Sequence, residues 1–99
     1  GNVINTQGIL TGINYSIFLE LYHSYIGVNG TGVVLHLPQS STIFAGKQYI
    51  IKDESGTASP SNPITIQGNA PIDGASPLQI QTGYASVTIL WTGSVWSII

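Results

Sequence analysis

Ninety-nine residues, six full charges (Glu20, Lys47, Lys52, Asp53, Glu54 and Asp73) and no cysteine bound the chain to one domain without a disulfide framework or a thiolate metal site. Two scattered lysines and no arginine cannot neutralise a phosphate backbone, which excludes nucleic acid as a partner. A monomer of this mass exposes on the order of 5,400 Å², and with 6% charged residues some apolar surface is expected to lie against another chain.

No apolar run approaches the roughly 18 residues that span a membrane, and the first residues lack the basic-then-apolar pattern of a secretion signal. Membrane insertion is not expected. In chain order, a short strand-like piece near Val3-Ile4 comes first, followed by a β-rich run over 15–19. The stretch 17–25 has the best helical composition, with Leu19, Glu20 and Leu21, but β-formers hem it in and it lacks a convincing cap. It reads as strand plus turn. Further strands are predicted over 25–28, 33–37, 48–53, 64–67, 78–81, 86–91 and 95–99. Between them, Asn29-Gly30-Thr31-Gly32, Ala45-Gly46-Lys47, Glu54-Ser55-Gly56, Asn69-Ala70-Pro71 and Thr92-Gly93-Ser94 supply the residues that reverse a chain.

Strands at this spacing predict an all-β fold, a small antiparallel β-sandwich of jelly-roll type forming a single domain over 1–99. The last two strands make the clearest hairpin. Alternation puts Val87, Ile89 and Trp91 on one face of the first, and Trp96 and Ile98 opposite Val95, Ser97 and Ile99 on the second. One Trp is expected in the core and the other on a second apolar surface. The contact with another chain is expected on Val87, Ile89 and Trp91, or on Val95 and Ile99.

Catalysis and metal binding find little support. Asp53 and Glu54 sit in a turn, where Asp53 is expected to accept backbone N–H groups, and no loop offers calcium several carboxylates at short spacing. Asp73 before Gly74 reads as a tight turn. His36 faces away from Leu35 and Leu37 as a polar surface residue, and no nucleophile-elbow pattern or pair of carboxylates across a cleft is visible. No enzyme, cofactor or metal is expected. The aromatic residues remain: Trp96, Tyr49 and Phe44 are assigned to the core. Tyr22, His23, Tyr25 and Trp91 are the candidates for a receptor-binding surface, because Tyr and Trp pair an apolar face with a hydrogen-bonding group.

Six blocks carry a pattern in order: Leu37-Pro38, the run from Gly46 through Lys52-Asp53-Glu54-Ser55-Gly56, Asn62-Pro63-Ile64-Thr65-Ile66, Ile72-Asp73-Gly74, Tyr84-Ala85-Ser86-Val87-Thr88 and Trp96-Ser97-Ile98-Ile99. Together with Tyr25-Ile26-Gly27-Val28 they resemble the C-terminal head domains of bacteriophage tail fibres and of fibre proteins of large DNA viruses. The resemblance implies a homotrimeric β-sandwich head at the distal end of a virion fibre, where it meets a host cell-surface glycan or protein. Residues 1–12 would then join it to a preceding shaft. The competing expectations are a purely structural trimerisation or capping domain, and a monomeric carbohydrate-binding module.

Overall fold

The structure, a computed structural model, describes residues 8–30 and 32–99. The piece predicted near Val3-Ile4 lies outside them. Among the described residues the chain forms β1 (Ile9–Ile13), β2 (Ile17–Phe18), β3 (Tyr25–Val28), β4 (Val34–His36), β5 (Gln48–Asp53), β6 (Ile64–Gln67), β7 (Leu78–Ile80), β8 (Ser86–Trp91) and β9 (Trp96–Ile98), with one 3-10 turn at Ser40–Thr42. The strands expected at 25–28, 48–53, 64–67 and 86–91 form with those bounds, and the others are shorter at one or both ends. No strand is expected from the sequence where β1 forms. Its register with β3 slips between Leu10 and Ile13, where Gly12 takes a φ of 67°, so an irregular strand looks like turn sequence.

The antiparallel expectation is corrected. A five-stranded sheet runs in the order β1-β3-β5-β8-β9 and a four-stranded one in the order β2-β4-β6-β7. From β1 to β6 the chain passes from one sheet to the other at every step. Each strand therefore pairs in parallel with the strand laid down one coil earlier: β1 with β3, β3 with β5, β2 with β4, and β4 with β6. Antiparallel pairing enters only with β7, β8 and β9. The result is a wound coil closed by hairpins. A parallel neighbour needs a crossover of a dozen or more residues, and here the strand in the facing sheet supplies it. Short strands between Gly-rich turns look alike whether the turn returns to its own sheet or crosses to the other.

Period-2 alternation fills the space between the sheets. In β5, Tyr49, Ile51 and Asp53 point inward while Gln48, Ile50 and Lys52 point outward. Leu10, Ile26, Ile51 and Val87 stand in register across one sheet. Ile17, Leu35, Ile66 and Leu78 do so across the other. Each fully buried aliphatic side chain of these ladders stabilises the fold by about 1.5–3 kcal/mol.

Two expectations about aromatic residues are also corrected. Trp91 and Trp96 are direct cross-strand partners, so they share one face, and both are buried with ring centroids 5.3 Å apart. Neither lies on a second surface. The face of Val87, Ile89 and Trp91 is the core face. Phe44, assigned to the core, is 88% exposed in the loop after the 3-10 turn. Tyr49 and Trp96 lie in the core as expected.

Ile72-Asp73-Gly74-Ala75 is a two-residue hairpin turn, closed by reciprocal backbone hydrogen bonds of 2.8 Å between Ile72 and Ala75. Asp73 and Gly74 both have positive φ, 46° and 79°, which is the geometry that favours Asp-Gly. The Asp73 side chain also accepts a hydrogen bond from the Ile98 N–H at 3.3 Å, tying the turn to β9.

Candidate functional site

Tyr22 and His23 lie in the connection from β2 to β3. Glu20 to His23 forms a turn in which the His23 N–H donates to the Glu20 carbonyl and His23 Nδ1 accepts the Glu20 N–H at 2.9 Å. Burial holds the His23 pKa below its ordinary value, helped by the nearby Lys47 charge and opposed by Glu20. Lys47 Nζ donates to the His23 carbonyl and stands 4.6 Å from the centre of the Tyr49 ring. The Tyr49 hydroxyl donates to the Glu20 carbonyl at 2.8 Å, and its pKa is pushed up to about 12 by burial and by Glu20. His23 is thus a buried, neutral fastening for this loop. Tyr22 stacks edge-on against it and remains 57% exposed.

Tyr25 is half-buried on the outward face of the five-stranded sheet, where its hydroxyl donates to Glu54 at 2.9 Å. Glu54 also accepts the Gly12 N–H at 3.1 Å, so one carboxylate links the β1, β3 and β5 region. It lies across Gly27, where a Cβ would overlap the carboxylate. Burial, then the Glu54 hydrogen bond and charge, raise the Tyr25 pKa. Gly27→Ala is expected to push Glu54 aside, costing about 1–2 kcal/mol for the lost hydrogen bonds. Spectrophotometric titration should then show Tyr25 ionising at lower pH than in the parent.

Asp53 is fully buried and receives four hydrogen bonds. Oδ1 accepts from the Ser55 N–H at 3.0 Å and the Ser55 hydroxyl at 2.7 Å. Oδ2 accepts from the N–H groups of Ala58 at 3.0 Å and Tyr84 at 3.2 Å. Burial alone would raise its pKa, but these donors outweigh it and hold the carboxyl below the ordinary value. The expected turn role is what the geometry displays, with a reach extending to the loop before β8. Trp91 is buried and offers no face to a partner. Of the four residues singled out as a receptor surface, Tyr22 is open, Tyr25 is tied to Glu54, and His23 and Trp91 are buried.

A different arrangement gathers on the four-stranded sheet. Phe18, His36 and Gln67 are in-register neighbours across β2, β4 and β6, and all point outward. The Phe18 and His36 rings stack at 4.3 Å with 19° between planes. His36 Nδ1 is 3.4 Å from Gln67 Nε2. At this end of the sheet a cleft of about 340 Å³ opens, floored by Leu37 and flanked by Gln39, Asn69 and Pro77. Asn69 is fixed by Ser40: its Oδ1 accepts the Ser40 N–H at 3.0 Å and its Nδ2 donates to Ser40 Oγ at 3.0 Å. A Cβ at Gly68 would come 3.1 Å from Leu37 Cβ, so glycine lets the chain lie close to the cleft floor. Neither carboxylate nor ammonium lines the cleft among the described residues.

Alternation alone puts His36 on an outward face. What the sequence does not supply is the parallel register that stacks Phe18 on His36 and places Gln67 beside them. No protein-family model matches this chain, and no curated protein is found to be similar to it.

Proposed function

We propose that this chain is the head domain of a viral or phage fibre, a non-enzymatic homotrimer at the distal end of a virion fibre that attaches to a glycan or protein on the host cell. The observation that carries the reading is the outward face of the five-stranded sheet. Ile9, Tyr25, Ile50 and Thr88 stand in register across it, and the Ile99 N–H donates to the Thr88 carbonyl at its far side. Ile9, Ile50 and Ile99 are exposed there, at 51%, 41% and 65%, and Val95, in the turn before β9, is 38% exposed. A sheet face with this much uncovered aliphatic surface is typical of an intersubunit contact.

The placement of the charges strengthens the case. Asp53 is buried and hydrogen-bonded, Glu54 lies over Gly27, and Lys47 is turned to the His23 carbonyl. Fewer than six charges are therefore free to solvate 5405 Å² of surface. The same placements support binding over catalysis, since the carboxylates serve the loops.

Of the two faces that the sequence offers for the contact, the one with Val95 and Ile99 is thus the better. Ile50→Glu should bury a charge at that contact and convert the trimer to monomers, lowering apparent attachment to host cells by about a hundredfold or more as threefold avidity is lost. Labelled protein and variant applied to host cells at matched chain concentration test this. Equal attachment by both would overturn the proposed contact, and absence of attachment by the parent protein would overturn the adhesion reading.

A further inference from the structure

We infer that the cleft beside the Phe18–His36 stack binds a pyranose ring of an uncharged glycan. The inference rests on the adhesion reading above and names the chemistry of its ligand.

Three observations converge on it. Phe18 is 74% exposed although it is a large aromatic residue, and the His36 ring stacks on one of its faces at 4.3 Å. An open aromatic face is the surface on which the C–H face of a sugar ring stacks. The polar groups around it are the amides of Gln39, Gln67 and Asn69. Each amide carries both donor and acceptor, as sugar hydroxyls do. Asn69 is already oriented by Ser40, so little freedom is lost when it engages a ligand.

Charge narrows the class of ligand. Without Lys or Arg in the lining, the cleft has no fixed cation for a phosphate, sulfate or sialic acid carboxylate. Without Asp or Glu it has no counter-charge for a cationic ligand. A volume of about 340 Å³ lies at the lower end of the range for small-molecule sites, about 300–1,000 Å³. That size suits one or two sugar rings better than a peptide. The outward face of the four-stranded sheet is separate from the face proposed for the trimer contact, so three clefts per trimer remain accessible and their weak affinities multiply.

The test uses the full 99-residue chain and a panel of methyl glycosides of glucose, galactose, mannose, N-acetylglucosamine and sialic acid. Saturation-transfer NMR and 15N chemical-shift mapping read the binding. At least one neutral glycoside should bind with a dissociation constant of roughly millimolar order, shifting the amides of Phe18, His36, Gln67 and Asn69, with methyl sialoside weaker. Phe18→Ala should weaken binding by about fivefold to tenfold and Phe18→Trp should preserve it. Because Phe18 is so exposed, its truncation leaves the core intact, and an unchanged thermal transition verifies this. Binding of no neutral glycoside, or equal binding by Phe18→Ala, would overturn the site. Host-cell attachment separates this inference from the reading beneath it. If the parent protein attaches to cells but glycoside binding is absent or unchanged in Phe18→Ala, adhesion stands and the site falls. If sugar binding depends on Phe18 but no cell is bound, the site stands and adhesion falls.

Discussion

Asp53→Ala is expected to destabilise the fold by about 3–5 kcal/mol, a large share of the roughly 5–15 kcal/mol that holds a domain together. Alanine removes the acceptor for three backbone N–H groups and one hydroxyl, those of Ser55, Ala58 and Tyr84. Leaving a buried donor without a partner costs about 1–3 kcal/mol. Tyr84 cannot easily move away, because its φ is 63° and its ring lies over Gly56. Asp53→Asn should be milder but still costly, since an amide nitrogen placed at either oxygen position meets another donor. Urea denaturation followed by circular dichroism checks both, and a loss under about 1 kcal/mol for Asp53→Ala would contradict the assignment.

The same carboxylate sets a pH dependence. Asp53 ionises in the folded state below its ordinary value of 3.8. Its contribution is therefore complete above that value and disappears as pH falls through the folded pKa. His23 acts in the same direction at higher pH. Its folded pKa lies below 6.5 because of burial, so the unfolded chain takes up a proton first and stability begins to fall as pH drops below about 6.5. Acidification should give two stages of loss. The one at lower pH should be absent in Asp53→Asn.

Trp96→Ala is expected to cost a further class of energy, about 3–5 kcal/mol through cavity formation. Trp96 packs against Trp91 at 5.3 Å and Tyr49 at 5.8 Å. Its backbone also accepts the Asp73 N–H at 3.0 Å and donates to the Pro71 carbonyl at 3.1 Å. One side chain therefore fills the core where β5, β8 and β9 meet the turn before β7. Near-UV circular dichroism should lose much of its intensity, because Trp91 loses its fixed neighbour and Trp96 itself is gone. Trp96→Phe keeps an aromatic ring there and should lose less than half as much stability.

Much of the secondary structure is legible in the residues. In β5 and β6, alternation, β-branched content and flanking turn residues agree, and the predicted bounds hold. Topology is not legible, because the direction in which a turn sends the chain depends on which sheet has an open edge. That one ambiguity propagates into the site. In an antiparallel layout, Phe18 and His36 have no reason to meet. In the coil they stack, being partners in parallel neighbours. The hairpin departs from expectation for a related reason. Alternation within each of β8 and β9 holds, but the register that pairs Trp91 with Trp96 puts both rings inward. The burial of His23 is hidden too, since it arises from Lys47 and Tyr49, distant in sequence, closing over its loop.

The outward face of the five-stranded sheet around Ile9, Ile50 and Ile99 is proposed to belong to a contact between three copies of this chain, and light scattering coupled to size exclusion measures this directly on the purified protein. The expected result is a particle of three times 10.5 kDa that persists on dilution and is lost in Ile50→Glu. A single 10.5 kDa species at the highest soluble concentration would contradict it.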